Sequence, residues 1–162
     1  MYWDATIYLV KALKSTLYHF QRLDDRFTSL HIAAKMWGDL MKVKVIMNPI
    51  AGRGKAQKVK PLILDTLREY GCDFHLEETN GPHHATEIAQ KTVKSGCDLL
   101  IVAGGDGTVN QVVNGMPNSN IPLGILACGT GNDFAAALDM PKDPVDGVRQ
   151  IMEGEIQKVD LC

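Results

Sequence analysis

Three stretches of this chain combine glycine with polar side chains in a way that suits phosphate chemistry. They are Asn48-Pro49-Ile50-Ala51-Gly52-Arg53-Gly54-Lys55, Gly104-Gly105-Asp106-Gly107-Thr108 and Gly129-Thr130-Gly131-Asn132-Asp133. Glycines that follow an apolar run allow positive φ and let backbone N–H groups approach a bound phosphate, and a helix starting there adds favourable partial charge. Asp106 runs against that logic, because a bare carboxylate repels phosphate. It fits if a Mg²⁺ ion or a proton transfer lies between them. The competing structural reading is a tight strand-to-helix turn with Asp106 capping the helix from Thr108 onward.

The outer two stretches carry the same ambiguity. The first has neither G-x-x-x-x-G-K-[ST] nor G-x-G-x-x-G spacing. There Asn48 can bond a ribose or phosphate, and Arg53 and Lys55 are either anion contacts or an exposed basic turn. In the third, the Thr130 hydroxyl can reach a phosphate. Capping accounts for Asn132 or Asp133 but leaves the two glycines unexplained. Thr79, at the end of an extended segment, is a further candidate nucleotide contact, whereas His83 and His84 read as a helix entry with no second ligand cluster for a metal.

These stretches need a scaffold, and from Met41 onward the pattern supplies one. Val43 to Met47, Phe74 to Glu78, Asp98 to Ala103, Pro122 to Leu126 and Ile156 to Leu161 read as strands. Pro61 to Tyr70, Ala85 to Lys94, Thr108 to Asn114, Asp133 to Leu138 and Val145 to Met152 read as helices. The alternation predicts a three-layer α/β domain with a parallel sheet, and ligands in such sheets bind at the carboxyl ends of the strands. All three stretches are therefore expected along one edge. Residues 1–41 differ: Ile7, Val10, Leu13, Leu17 and Phe20 recur at helical spacing, predicting an amphipathic helix, a break near Asp24-Asp25 and a second short helix to about Trp37. This helical extension is expected to be an upstream addition outside the domain pattern, a helix packed on the domain or a helix lying on a membrane surface.

The 162 residues allow one good core and an appendage. A net charge of −2 and a pI near 6.2 give no broad positive field, so nucleic acid is not an expected partner. Cys72, Cys97, Cys128 and Cys162 show no ligand spacing and follow no secretory signal, which fits reduced thiols and a cytoplasmic location. No apolar run approaches the roughly 18 residues that span a bilayer, so membrane contact is expected to be peripheral, at the inner surface.

Taken together, N-P-x-A-G-x-G-K from Asn48, T-x-G-x-x-H-A-T-E from Thr79 to Glu87, G-G-D-G-T-V-N from Gly104 and G-T-G-N-D-F-A from Gly129 resemble the catalytic-domain signature of the diacylglycerol kinase family, in its bacterial lipid-kinase branch. The G-G-D-G-T loop alone is shared with NAD kinases and phosphofructokinase-like enzymes; the Gly129–Ala135 stretch resembles the lipid-kinase version. The resemblance implies a fold of the NAD kinase and diacylglycerol kinase type, and transfer of the ATP γ-phosphoryl group, with Mg²⁺, to a lipid hydroxyl such as that of diacylglycerol. By the same resemblance Asn48, Pro49, Ile50, Ala51, Gly52, Thr79, Gly105, Asp106, Gly107, Thr108, Val109, Asn110, Gln111 and Thr130 line the nucleotide site, and Asp106 organises the metal through water. Residues 42–162 would be the ATP-binding domain, with the general base in a β-rich lipid-binding domain that is expected after Leu161 and is absent after Cys162. A homodimer is compatible with this reading. Two positions depart from the family pattern: Gln111 stands where a glutamate is usual, and Ala127-Cys128 replaces a proline-containing pair. An NAD kinase-like small-molecule kinase and a non-catalytic nucleotide-binding module are the alternatives.

Overall fold

The computed structural model describes residues 5–11 and 41–161. Six strands form one sheet: β1 (Ala5–Lys11), β2 (Lys42–Met47), β3 (Asp73–Glu78), β4 (Leu99–Gly104), β5 (Pro122–Ala127) and β6 (Glu155–Leu161), in the order β3-β2-β4-β5-β1-β6. Between them run α1 (Ala51–Glu69), α2 (His84–Ser95), α3 (Asp106–Asn114), the short α4 (Asp133–Ala137) and α5 (Pro144–Glu153).

β4 is buried along its whole length, as its unbroken Leu-Leu-Ile-Val-Ala run requires of a strand covered on both faces. It pairs in parallel with β2 on one side and β5 on the other. From β2 the chain moves outward through α1 to β3, then returns through α2 to β4 and onward through α3 to β5. Because such crossovers keep one hand, reversing direction puts the helices on opposite faces. Accordingly α1 packs with α5, and α2 packs with α3. The loops leaving β2 and β4 lead to helices on opposite faces of the sheet, the switch point at which open α/β sheets bind ligands in a crevice between the strand ends.

Three sequence expectations are corrected. Residues 5–11 are a strand and not the start of an amphipathic helix: β1 pairs in parallel with β5 through Tyr8 and Leu9, and antiparallel with β6 from Ala5 opposite Leu161 to Lys11 opposite Glu155. Leu9 and Val10 are buried there. A short apolar run satisfies either period, and Thr6, Ile7 and Val10 carry the β-branched bias that favours a strand. The rest of the expected helical extension, residues 12–40, lies outside the described residues. The sheet is also not wholly parallel, since β6 joins it only through its antiparallel pairing with β1. Finally, α1 begins upstream of Pro61, which sits inside it on the exposed side and removes one helical hydrogen bond.

Candidate functional site

The three glycine-bearing stretches leave the carboxyl ends of β2, β4 and β5, which are neighbours in the sheet. Their backbones meet. A Cβ on Gly129 would lie 2.4 Å from the Gly105 Cα, so the second and third turns touch only because both positions lack a side chain. A Cβ on Gly52 would lie 2.2 Å from the Cys128 carbonyl oxygen, which brings the first turn against the third. Gly52 also has φ +58°, in the left-handed region that glycine tolerates best. Arg53 and Gly54 continue that left-handed run before the regular part of α1 begins.

Polar groups tie the turns together. Asn48 Nδ2 donates to Thr108 Oγ1 at 3.1 Å, spanning the crevice between β2 and β4, and Asn48 Oδ1 accepts from the Ile50 N–H at 3.2 Å. Asp106, in the first turn of α3, reaches across to the third turn. Its Oδ2 accepts from the Asn132 N–H at 2.8 Å and its Oδ1 from the Phe134 N–H at 3.1 Å. Asp106 therefore caps α4, not the helix in which it sits. The Phe134 amide, with those of Asp133 and Asn132, holds the Asp106 carboxyl below the usual range against the opposing effect of desolvation, so it is ionised at neutral pH.

The structure brings Asn48, Gly52, Gly105, Asp106, Thr108 and Thr130 to one rim. Pro49 and the 79 % exposed Ile50 lie in the first turn, and Ala51 is buried beneath it. Gly107 is exposed in the first turn of α3. Thr79 follows β3, one strand further out, and its N–H donates to the Met47 carbonyl at 2.8 Å. Beyond Thr108 the motif turns away: the Val109 side chain is in the core, Asn110 pairs with Asn114 one turn on, and the Gln111 carbonyl accepts from Thr86 Oγ1 of α2. His83 starts α2 with left-handed φ, and His84 Nδ1 accepts from the Asn80 N–H. Burial pushes the Cys128 thiol up, which keeps this turn residue protonated and inert.

Two features of the rim escaped sequence reasoning. One is the side chain of Asn132, which bonds both backbone groups of Gly129 and makes no cap hydrogen bond to the helix it precedes. The other is the contact of Gly52 with Cys128, which no local spacing encodes. What the rim can do chemically follows from its parts. The N–H groups of the exposed residues Gly107, Thr130 and Gly131, which have no acceptor among the described residues, together with the partial charge of α3, suit a polyphosphate.

Comparison with known proteins identifies the family. Residues 42–162 match the family model described as the diacylglycerol kinase catalytic domain. The chain belongs to the diacylglycerol kinase catalytic-domain family. It is 38% identical over 122 residues to a diacylglycerol kinase of Staphylococcus epidermidis, an alignment that covers 74% of this chain and 39% of the relative. A diacylglycerol kinase of Staphylococcus saprophyticus is 36% identical over 122 residues, covering 74% of this chain and 40% of the relative. Among solved structures, a diacylglycerol kinase from Bacillus anthracis strain Sterne superposes with a TM-score of 0.62 at 33% identity, over 68% of this chain and 41% of that one. The chain thus spans about two fifths of the length of the curated relatives it matches. The structural neighbours place the sheet and its helices in the NAD kinase-like class of α/β folds. Among the described residues no helix is long and apolar enough to cross a membrane.

Proposed function

We propose that residues 42–161 are the nucleotide-binding part of a lipid kinase that transfers the γ-phosphoryl group of ATP to a lipid hydroxyl, such as that of diacylglycerol. The observation that carries this reading is the convergence of three glycine-bearing turns, through backbone contacts closed to any Cβ, on the carboxyl ends of three adjacent parallel strands. Family membership and the printed names of the relatives support the acceptor class.

In this reading the crevice between β2 and β4 takes the nucleotide. Asn48 and Thr108, bonded across it, hold the first two turns in register, and main-chain amides around Gly105, Gly107 and Thr130 receive phosphate oxygens. Phosphoryl transfer asks for positioning and neutralisation of charge more than for covalent participation by the protein. Mg²⁺ supplies part of that neutralisation when bound. Among the described residues no cluster of three or more His, Cys, Asp or Glu side chains could hold a metal ion by itself. The donors present suit a Mg²⁺ that keeps its waters and binds mainly through phosphate, because Asp106 is ionised and, with each oxygen already taking one N–H, keeps lone pairs for a water.

The test is calorimetric titration of ATP with Mg²⁺ into this chain and its Asp106→Ala variant, followed by product analysis of the longest natural form with diacylglycerol and with NAD as acceptors. Saturable binding weakened by the substitution, and phosphatidate as product, are expected. Absence of binding, or phosphorylated NAD without phosphatidate, would overturn the proposal.

A further inference from the structure

We infer that Asn132 is a positioning residue that presents the Thr130-Gly131 tip to the phosphates. The inference rests on the nucleotide reading above and adds which groups of the third turn are left to bind.

Asn132 Oδ1 accepts from the Gly129 N–H at 2.8 Å, and Asn132 Nδ2 donates to the Gly129 carbonyl at 2.9 Å. One side-chain amide thus satisfies both backbone groups of a residue three positions earlier, as a paired strand would. The Gly129 N–H is shared with the Gly104 carbonyl at 3.1 Å, which fastens the base of the turn to the end of β4. On its other side the Asn132 N–H donates to Asp106 Oδ2, and Asn132 takes φ +64°, a conformation that asparagine tolerates better than most residues.

A donor count then identifies what remains free. The amides of Gly129, Asn132 and Phe134 are spent within the protein, two of them on Asp106, so the N-terminus of the short α4 already faces a carboxylate. Among the described residues no group accepts from the N–H of Thr130 or Gly131, and both are exposed. The clasp holds this pair of amides at the tip. A Cβ on Gly131 would lie 3.0 Å from Asp106 Oδ2, so the tip is also pressed close to the carboxylate that anchors it. Without the Asn132 side chain the tip would keep its sequence but lose its fixed direction, and the loss would fall on the polyphosphate and not on the nucleoside.

The experiment compares the chain with Asn132→Gly, which accepts the positive φ and removes only the clasp. Amide hydrogen exchange followed by NMR should show faster exchange at Gly129 in the variant with unchanged protection in β4 and β5. ATP affinity should fall about tenfold while adenosine affinity stays the same, the size expected from losing a pair of hydrogen bonds that orient a binding loop. Unchanged exchange at Gly129, unchanged ATP affinity, or equal weakening of ATP and adenosine would each overturn the assignment. A parent chain that binds adenosine but gains nothing from the phosphates would overturn both this role and the nucleotide reading; a parent that binds ATP tightly beside an unaffected variant would overturn this role alone.

Discussion

β4 is buried on every residue and has a parallel neighbour on each side, whereas β6, at the far edge, pairs with β1 alone and is exposed or half-buried from Glu155 to Val159. The centre of the sheet is specified by its own composition. The flank depends on a partner about 150 positions away in the chain, since Ala5 lies opposite Leu161. The difference also sorts function: the glycine turns all leave the central strands β2, β4 and β5, and β1 lies outside the residues that match the family model.

Truncating one buried leucine in each region breaks or sharpens that contrast most strongly. Leu100→Ala in β4 and Leu9→Ala in β1 should each lower the free energy of unfolding, by about 2–5 kcal/mol for a fully buried leucine, with the central strand at the upper end. Urea denaturation measures both, and a Leu9→Ala variant as stable as the parent would remove β1 from the sheet. Next in size is Gly129→Ala, whose new Cβ must displace the Gly105 backbone. Overpacking of this kind costs about 1–3 kcal/mol, and the nucleotide should no longer bind.

Asp106→Asn should have a smaller, pH-dependent effect. Its folded pKa is depressed, so the stabilisation is present above the unfolded value of about 3.9 and lost as pH falls through the folded value. At pH 7 the variant should be less stable by about 1 kcal/mol, because the amide nitrogen cannot accept one of the two N–H bonds that the carboxylate takes, and the gap should close toward pH 3. A gap that is constant with pH would contradict the charge argument. Smallest is Lys60→Ala, which removes the partly exposed bridge to Glu78 at 2.8 Å; about 0.5 kcal/mol or less is expected, without effect on nucleotide affinity.

Much of the centre was legible in the sequence because strand and helix periods alternate there with turn residues between them. The rim was legible as three separate glycine stretches, and the parallel-sheet rule placed them at one edge. Their mutual contacts were not, because the approach of Gly52 to Cys128 or of Gly105 to Gly129 depends on how three turns stack after folding. The role of Asp106 illustrates the limit. A carboxylate three residues before Val109 reads locally as a cap for its own helix, and only the folded chain directs it to the amides of Asn132 and Phe134. β1 failed for a simpler reason, since Ile7 and Val10 share a helical spacing with Leu13, Leu17 and Phe20, while the strand is set by pairing with residues 155–161, which local periodicity does not encode.

The central claim is that a nucleotide's phosphates meet main-chain amides at the carboxyl ends of β2, β4 and β5. The most direct measurement is a ¹H–¹⁵N NMR titration of this chain with ATP and Mg²⁺. The account predicts the largest amide shifts at Gly52, Gly105, Gly107, Thr130 and Gly131. Shifts concentrated instead in the polar groove lined by Lys42, Lys44, His75 and Lys91, around the opposite ends of β2 and β3, would contradict it.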